Sequence, residues 1–277
     1  MNAIPANEAG VTSGHPVVLT MAGSDSGGGA GIQADIKTIM ALGGFGLSVI
    51  TALTAQNGAE VRGIHEPPPE FAALQLETVL DGFPVKAAKT GMLASAPIME
   101  ALSGLLQKKT FPLVVDPVCV SQSGHRLLRE DAVDALRDLM IPLADLLTPN
   151  KPEAELLAGV PISDSSQLRE AMYRLYRMGA KAVLIKGGHF AEYESGHSIT
   201  DWLGLPGEEP LPLTHERIET PNNHGTGCTL SAALATFLAH GLPLRQAVTN
   251  AQAFLSKALA ASYTPGIGTG PPNPMMK

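Results

Sequence analysis

Short apolar runs alternate with segments of helical periodicity along most of the chain. The first run, 17–23 (VVLTMAG), leads through a glycine-rich stretch to a segment in which Ile32, Ile36 and Ile39 recur at helical spacing. A longer apolar run, 45–57, ends in polar residues. We predict strands for the apolar runs and helices for the periodic segments.

The same pattern predicts four more strands and seven more helices. The strands are 85–89, 112–116, 144–148 and 181–186. The helices are 68–80, 95–107, 130–140, 150–158, 165–178, 226–240 and 243–260. Strands that alternate with helices indicate an α/β fold whose mostly parallel sheet is covered by helices on both faces. Ligands of such sheets bind beyond the carboxyl ends of the strands.

No internal repeat or linker divides the chain, so one domain is predicted over 1–277. The two ends, 1–15 and 262–277, are expected to be irregular tails. The proline- and glycine-containing stretch 204–215 (GLPGEEPLPLTH) is predicted as a surface loop or a turn between edge strands.

Composition and charge exclude several classes of partner. The formal net charge of −7 argues against binding to nucleic acid, which needs clustered lysine and arginine. No apolar stretch approaches the roughly 18 residues of a membrane span, and the amino terminus lacks the features of a secretory signal. Two isolated cysteines, Cys119 and Cys228, fit a reducing compartment better than a disulfide framework. The expected location is the cytoplasm.

Several common motifs are missing from the sequence. No Gly-Lys pair occurs, which excludes the usual phosphate loop, and the first glycine cluster does not fit the dinucleotide fingerprint. The eight histidines have no metal-binding spacing, and no nucleophile elbow is present. Any phosphate must therefore be bound by a different structural motif.

The segment HGTGC places a glycine-rich turn directly before a predicted helix. The amide groups at a helix start have no internal partners and carry the positive end of the helix dipole. The turn formed by Gly225, Thr226, Gly227 and Cys228 therefore suits a phosphate, or the charge that develops as a phosphoryl group is transferred. The alternative is an ordinary helix N-cap by Thr226.

The loop that follows the first strand, 22–35 (AGSDSGGGAGIQAD), has a similar design. Three consecutive glycines allow the backbone to close around a small ligand. Asp35 falls on the apolar face of the next helix, where a carboxylate needs a partner. That partner is either a ligand or a hydrogen-bonding group of the protein.

Polar residues at the ends of other predicted strands suggest a binding site with two parts, one for a heterocyclic ring and one for a nucleotide. Gln56 could offer one donor and one acceptor to a heterocycle, and Met92 could form an apolar wall, although a core methionine is the commoner explanation. Asp116 and Glu153, with an amide at Asn150, suit a site for Mg²⁺ and a nucleotide in which water holds part of the ion. The alternative for Asn150 and Glu153 is helix capping.

Together these segments resemble the ribokinase-like fold, and within it the bacterial hydroxymethylpyrimidine and phosphomethylpyrimidine kinases of thiamine synthesis. The matching segments, in chain order within 17–260, are AGSDSGGGAGIQADIKT, SVITALTAQN, KTGML, VDPV, TPNKPEAELL, IKGGH and HGTGCTLSAALA. The resemblance implies that ATP and Mg²⁺ are used to phosphorylate 4-amino-5-hydroxymethyl-2-methylpyrimidine, and then its monophosphate to the diphosphate. It also implies a homodimer.

The resemblance assigns the predicted residues to three groups. The pyrimidine would lie against Gln56, with Asp35, Gly23, Ala30 and Met92 around it. The nucleotide side would consist of Asp116, Asn150, Glu153 and Lys186, with Mg²⁺ at Asp116 and Glu153. The anion hole at the transferred phosphoryl group would be Gly225, Thr226, Gly227 and Cys228.

The sequence departs from the family pattern in VCVSQSG. Cys119 stands where methionine is common, and Gln122 stands where the family often has lysine. The second change removes a positive charge near the phosphate site, for which Lys89 or Lys186 would compensate.

Cys228 stands where sugar kinases of the wider fold usually carry an aspartate. An aspartate would repel an acceptor that already carries a phosphate, whereas a thiol can be neutral, or partly ionised by the helix N-terminus. We therefore predict that the cysteine lets one site serve both acceptors.

Two alternatives remain from the sequence. One is a pyridoxal kinase of the same cysteine-containing type, which acts in vitamin B6 salvage. The other is a non-catalytic pyrimidine-binding protein, against which the intact Asp116, Glu153 and GTGC turn argue.

Overall fold

The computed structural model describes residues 14–119, 130–187 and 197–276, and within these ranges nine strands form one mixed sheet. Its strands are β1 (Val17–Ser24), β2 (Phe45–Gln56), β3 (Val61–His65), β4 (Ala87–Thr90), β5 (Leu113–Val115), β6 (Leu146–Leu147), β7 (Val183–Ile185), β8 (Ser198–Gly204) and β9 (Leu211–Glu216). The spatial order is β3-β2-β1-β4-β5-β6-β7-β8-β9. In this spatial order, the neighbouring strands from β2 across to β7 pair in parallel. β3, β8 and β9 pair antiparallel with their neighbours.

Helices cover both faces of the sheet, as the alternating pattern predicts. They are α1 (Gly31–Ala41), α2 (Pro69–Gly82), α3 (Ala96–Leu106), α4 (Glu130–Ala135), α5 (Lys151–Ala158), α6 (Ser165–Arg177), α7 (Thr226–Ala239) and α8 (Leu244–Ala260). The turn between β1 and α1, residues 25–30, is called the glycine loop below. A π-helical turn, Leu136–Met140, continues α4. The predicted helix 130–140 therefore changes from α-helical to π-helical geometry at Leu136.

Alternate residues of the central strands pack into two separate hydrophobic cores, one on each face of the sheet. On β1, Leu19 and Met21 pack with the helices α2 to α6 on one face, whereas Val18 packs on the other face with α1, α7 and α8. On β7, Leu184 likewise faces away from Val183. Strands buried on both faces have almost continuous apolar sequences, which explains why the pattern predicts them well.

The strands that the pattern missed lie at or next to the sheet edges. β3 (VRGIH) is largely exposed, so its sequence carries no buried alternation. β8 contains a polar residue, Asp201, that the protein buries. Of the two alternatives for 204–215, the turn between edge strands is confirmed for 205–210, and Leu211–Glu216 forms β9, which pairs antiparallel with β8.

The remaining segments have no regular structure. Residues 262–276 contain no helix or strand, and 1–13 of the predicted amino-terminal tail lie outside the described ranges. Over the part of the chain that the structure describes, no helix has both the length and the hydropathy needed to cross a bilayer.

Candidate active site

The turn at residues 225–228 begins α7 with its backbone rather than with a side chain. Gly225 is the N-terminal cap, in the left-handed region at φ 81°, and makes no side-chain cap hydrogen bond. The Thr226 hydroxyl donates instead to the carbonyl oxygen of Asn223 at 2.6 Å. Helix capping by Thr226, the alternative that the sequence left open, is therefore wrong. The amides of the first helical turn have no intrahelical acceptor, as an anion hole requires.

Gly225 also brings this turn into contact with the glycine loop. A Cβ at position 225 would lie 1.9 Å from the carbonyl oxygen of Gly29 and 3.1 Å from the Cα of Ala30. A side chain therefore cannot be placed there unless the two backbone segments separate.

We expect Gly225→Ala to lower the free energy of unfolding by more than the ~1–2 kcal/mol that left-handed alanine costs, because the glycine loop would also have to move. Gly241→Ala is the matched control: Gly241 has φ 82°, but an added Cβ there meets no atom within 4 Å. Urea unfolding of both variants measures the difference. Equal losses would mean that the close approach adds nothing to stability.

Asp25 organises the glycine loop. Its Oδ1 accepts a hydrogen bond from the amide of Gly27 at 2.8 Å, and its Oδ2 accepts from the amides of Gly29 and Ala30 at 3.1 and 2.9 Å. His224 Nε2 lies 2.8 Å from the same Oδ2. Burial opposes ionisation, but the hydrogen bonds from His224 and from the loop backbone hold the pKa of Asp25 below its ordinary value. Asp25 is therefore a carboxylate at neutral pH.

Asp35 is enclosed by the protein. Its carboxylate accepts hydrogen bonds from Lys89 Nζ, 3.1 Å from each oxygen, and from the Thr20 hydroxyl at 2.6 Å. Both members of the ion pair have fully buried side chains. Burial opposes the charge of Lys89, but the Asp35 carboxylate holds the pKa of Lys89 above its ordinary value. Of the two partners that the sequence left open for Asp35, the structure contains the protein group.

Cys228 lies in the first turn of α7, close enough to this ion pair to interact with its charges. Burial raises the pKa of its thiol to about 11; the Lys89 ammonium opposes this shift, and the carboxylates of Asp35 and Asp116 add to it. The backbone amide of Gly31, at the start of α1, also opposes the shift. Of the two states that the sequence left open, the neutral thiol is therefore the one present at neutral pH.

Asp116 and Lys186 face the turn from the ends of β5 and β7. Lys186 Nζ donates to Asp116 Oδ1 at 2.9 Å. A Cβ added to Gly227 would lie 3.4 Å from Asp116 Oδ2 and 3.6 Å from Lys186 Nζ, so the pair lies directly against the turn. Burial opposes the charge of Lys186, but Asp116 and Glu153 hold the pKa of the lysine above its ordinary value. A charged ammonium group thus stands beside the first turn of α7, whose amides have no intrahelical acceptor.

Asn150 and Glu153 form a capping box at the start of α5. The Asn150 side chain accepts from the amide of Glu153 at 2.9 Å, and Glu153 Oε2 accepts from the amide of Asn150 at 2.9 Å. Glu153 Oε1 also accepts from the amide of Cys119 at 3.2 Å. The alternative of helix capping is therefore confirmed, and Glu153 also links α5 to the segment after β5, in which Val118 has a φ of 43°.

The carboxylates at this edge fit a magnesium ion that arrives with a nucleotide. Among the described residues, no group of three or more histidine, cysteine, aspartate or glutamate side chains could hold a metal ion alone. A nucleotide-bound magnesium ion needs only one or two protein carboxylates, because phosphate oxygens and water supply the other ligands. Asp116 Oδ2 faces the turn and suits direct contact, whereas Glu153, with each oxygen hydrogen-bonded to an amide, suits contact through water.

Gly23, Met92 and Gln56 lie at neighbouring strand ends on the other side of the turn. The pairing register of β1 with β2 shifts between Ala22 and Gly23. A Cβ at Gly23 would lie 2.7 Å from Met92 Cε, so the methionine methyl covers this glycine. Gln56 ends β2, and its Nε2 lies 3.4 Å from His224 Nε2. These residues share one edge of the sheet with the glycine loop and the turn.

The two lysines that could compensate for Gln122 differ in their exposure to solvent. Gln122 itself lies outside the described residues. Lys89 is enclosed with Asp35 and has no exposed side-chain surface, whereas the Lys186 side chain is 17% exposed. Only Lys186 of the two can contact a phosphate in this conformation.

Asp25 and His224 are site residues that the sequence interpretation missed. Asp25 had a signal, since an aspartate before consecutive glycines often accepts hydrogen bonds from amides two residues onward. His224 had none, because its partner Asp25 is 199 residues away. Both line a cavity of about 300 Å³ with Asn57 and the carboxyl-terminal residues 265–267. A larger cavity, about 790 Å³, lies near the carboxyl-terminal ends of α1 and α8 and contains none of the predicted site residues.

Comparison with known proteins gives the family. The family model described as phosphomethylpyrimidine kinase matches residues 25–273. The chain belongs to this family. A hydroxymethylpyrimidine/phosphomethylpyrimidine kinase of Haemophilus influenzae is 46% identical over 92% of the chain and 95% of its own length. A thiamine biosynthesis bifunctional protein of Geobacter sulfurreducens is 48% identical, and the chain spans 51% of that longer protein.

Solved structures of other kinases have the same fold as this member of the phosphomethylpyrimidine kinase family. The Clostridium difficile phosphomethylpyrimidine kinase is 37% identical, with a TM-score of 0.77 over 88% of this chain and 99% of that one. An ADP complex of Bacillus subtilis pyridoxal kinase is 32% identical, with a TM-score of 0.82 over 94% and 97%. The predicted ribokinase-like fold and the predicted family are both confirmed.

Proposed function

We propose that the protein is a single-domain, ATP-dependent kinase that phosphorylates 4-amino-5-hydroxymethyl-2-methylpyrimidine, and then converts the monophosphate to the diphosphate, in thiamine biosynthesis. The observation that carries the proposal is the placement of the Asp116–Lys186 pair directly against the turn at Gly227. Relatives with 40–48% identity are named for this activity or for thiamine biosynthesis, and the fold and family agree with it.

On the acceptor side, the pyrimidine binds at the edge formed by Gln56, Met92 and Gly23. The amide of Gln56 can offer a donor and an acceptor to an aminopyrimidine, and the Met92 methyl can pack on the ring. Ala30 closes the site from the glycine loop. Asp35 contributes indirectly, because its buried ion pair with Lys89 interacts electrostatically with Cys228.

On the nucleotide side, Asp116, Asn150, Glu153 and Lys186 bind ATP and its magnesium ion. Asp116 would hold the ion directly and Glu153 would hold it through water; the ion supplies charge neutralisation at the phosphates. Lys186 places its ammonium group at the phosphates. Asn150, whose side-chain oxygen caps α5, fixes the orientation of Glu153.

Phosphoryl transfer through a loose transition state depends mainly on positioning and on stabilisation of charge. The amides of Gly225 to Cys228 have no intrahelical partners and would bind the oxygens of the transferred group. The neutral Cys228 thiol adds no charge that would repel a phosphorylated acceptor. The same site can therefore accept the alcohol and the monophosphate.

The test is ADP release from ATP and Mg²⁺ with four separate acceptors: the hydroxymethylpyrimidine, its monophosphate, pyridoxal and ribose. Turnover with the first two supports the proposal. Binding of the pyrimidine without ADP release would support the non-catalytic alternative instead.

Pyridoxal kinase is the second candidate function, because solved pyridoxal kinases share this fold with TM-scores up to 0.84, some of them in complex with an ATP analogue or with pyridoxal. Preferred turnover of pyridoxal, with little turnover of the monophosphate, would assign the protein to vitamin B6 salvage. It would also remove the explanation offered for Cys228.

We expect Cys228→Asp to reduce turnover of the monophosphate at least tenfold more than turnover of the alcohol. A carboxylate at this position would face the acceptor phosphate in a poorly solvated site, where like charges repel strongly. Cys228→Ser, which keeps a neutral group of similar size, is the matched control. Equal losses with both acceptors would contradict the proposed role of the thiol.

We further propose a cytoplasmic homodimer. Exposed apolar side chains concentrate at the β2–β3 edge and on α2, and a second copy would cover them: Leu53, Val61, Ile64, Phe71 and Leu74. Both cysteines are free thiols, which suits a reducing compartment. Sedimentation at micromolar concentration tests the dimer.

A further inference from the structure

The imidazole of His224 lies between the two loops of the site. His224 directly precedes the turn at 225–228, yet its ring contacts the glycine loop. A Cβ added to Gly29 would lie 2.5 Å from His224 Cδ2, so the ring packs directly on the Gly29 backbone. The ring is half-buried and fills the space that a side chain at position 29 would need.

The hydrogen bonds of this ring determine its protonation at Nε2. Asp25 is ionised and can only accept hydrogen bonds. His224 Nε2, 2.8 Å from Asp25 Oδ2, must therefore carry the proton that is donated. The same Asp25 oxygen accepts the amides of Gly29 and Ala30, so one carboxylate oxygen joins the imidazole to the end of the glycine loop.

The backbone of His224 is held as well. Its amide donates to the carbonyl oxygen of Gly270 at 3.2 Å, and the amide of Gly270 donates to Asn222 Oδ1 at 2.9 Å. The following residue, Gly225, touches the Gly29 carbonyl. The histidine therefore connects the phosphate-binding turn, the glycine loop and the carboxyl-terminal segment, and its Nε2 also lies 3.4 Å from Gln56 Nε2.

We propose that His224 is a positioning residue, which sets the glycine loop of the acceptor side against the phosphate-binding turn through its hydrogen bond to Asp25. The inference rests on the proposed kinase function. Because the acceptor hydroxyl and the transferred phosphoryl group must meet in a fixed geometry, a small displacement of one loop relative to the other slows the reaction. Among the described residues, the hydrogen-bonding contacts of the imidazole are with Asp25 and Gln56, and none is with the residues proposed to bind the nucleotide.

The test compares His224→Leu with His224→Gln, whose side-chain amide can still donate to Asp25. We expect His224→Leu to lower the acceptor kcat/KM by about 10- to 100-fold while the KM for ATP changes less than twofold. His224→Gln should recover most of this loss. His240→Leu is the matched control, since His240 Nε2 contacts only the Leu42 carbonyl oxygen among the described hydrogen bonds at the far end of α7.

A second readout does not depend on turnover. Amide hydrogen exchange of a peptide covering 22–34 should be faster in His224→Leu than in the wild type, and unchanged in His224→Gln and His240→Leu. Gly29→Ala displaces the ring but keeps every hydrogen-bonding group. Like His224→Leu, it should accelerate the amide exchange of this peptide.

The outcomes separate the positioning role from the function. Wild-type-like kcat/KM and exchange in His224→Leu would overturn the proposal, as would a His224→Gln variant as impaired as His224→Leu. A lower melting temperature without a change in kcat/KM would overturn it too, because it would indicate a purely structural role. If the wild type turns over no acceptor, the proposed function fails, and the exchange measurement alone decides whether His224 orders the loop.

Discussion

Replacing Lys186 by methionine is expected to lower kcat/KM by a factor of about 10² to 10³, the usual effect of removing one group that stabilises charge in the transition state. Lys186 is the lysine whose ammonium group lies beside both Asp116 and the Gly227 backbone. Methionine keeps most of the aliphatic stem but removes the charge that would face the transferred phosphoryl group. The measurement is ADP release at saturating ATP with the hydroxymethylpyrimidine and with its monophosphate.

Lys181→Met is the matched control for this variant. Lys181 precedes the same strand, β7, at its other end, and pairs with Asp145 at 2.8 Å with 68% of its side chain exposed. Its replacement should leave kcat/KM within about twofold of the wild-type value and the free energy of unfolding within ~1 kcal/mol of it. If both methionine variants lose activity equally, Lys186 has no specific role at the phosphates. Melting temperatures of both variants separate lost activity from lost folding, because Lys186→Met also leaves Asp116 without its ion-pair partner.

Replacing Lys89 by methionine is expected to lower the free energy of unfolding by about 3–5 kcal/mol, the usual cost of breaking a buried ion pair from one side. Both side chains of the Lys89–Asp35 pair are fully buried. After the substitution, Asp35 would keep only the Thr20 hydroxyl of its present side-chain donors. Urea denaturation at pH 7 measures the loss, again with Lys181→Met as the exposed control.

The double variant Lys89→Met with Asp35→Leu tests the cause of this loss. Replacing both members of a buried pair by apolar side chains leaves no isolated charge. We therefore expect the double variant to be more stable than Lys89→Met alone by about 2 kcal/mol or more. A double variant that loses as much as the sum of the two single losses would mean that the residues act independently of their charges.

The alternation of apolar runs and periodic segments determined the central part of the fold. Strands such as β1 and β7 are buried on both faces, so their apolar sequences are recognisable without the tertiary structure. The strands β3 and β8 were not recognisable, because β3 is exposed on both faces and β8 buries Asp201. Their pairing depends on neighbours distant in sequence, which local periodicity does not report.

The sequence also determined which chemistry-bearing residues would meet. Asp116 and Lys186 directly follow strands, Gly227 lies in the first turn of a helix, and the carboxyl ends of parallel strands lie along one edge. Topology alone therefore brings them together.

Only the tertiary structure decided what each of these residues does there. Lys89 and Lys186 look alike in the sequence, but one is enclosed against Asp35 and the other reaches the phosphate-binding turn. This difference in burial depends on how α1 and α7 pack against β1 and β4. The contact of Asp25 with His224 joins residues 199 positions apart. The charge state of Cys228 likewise follows from burial and neighbouring charges, which arise only when the chain has folded.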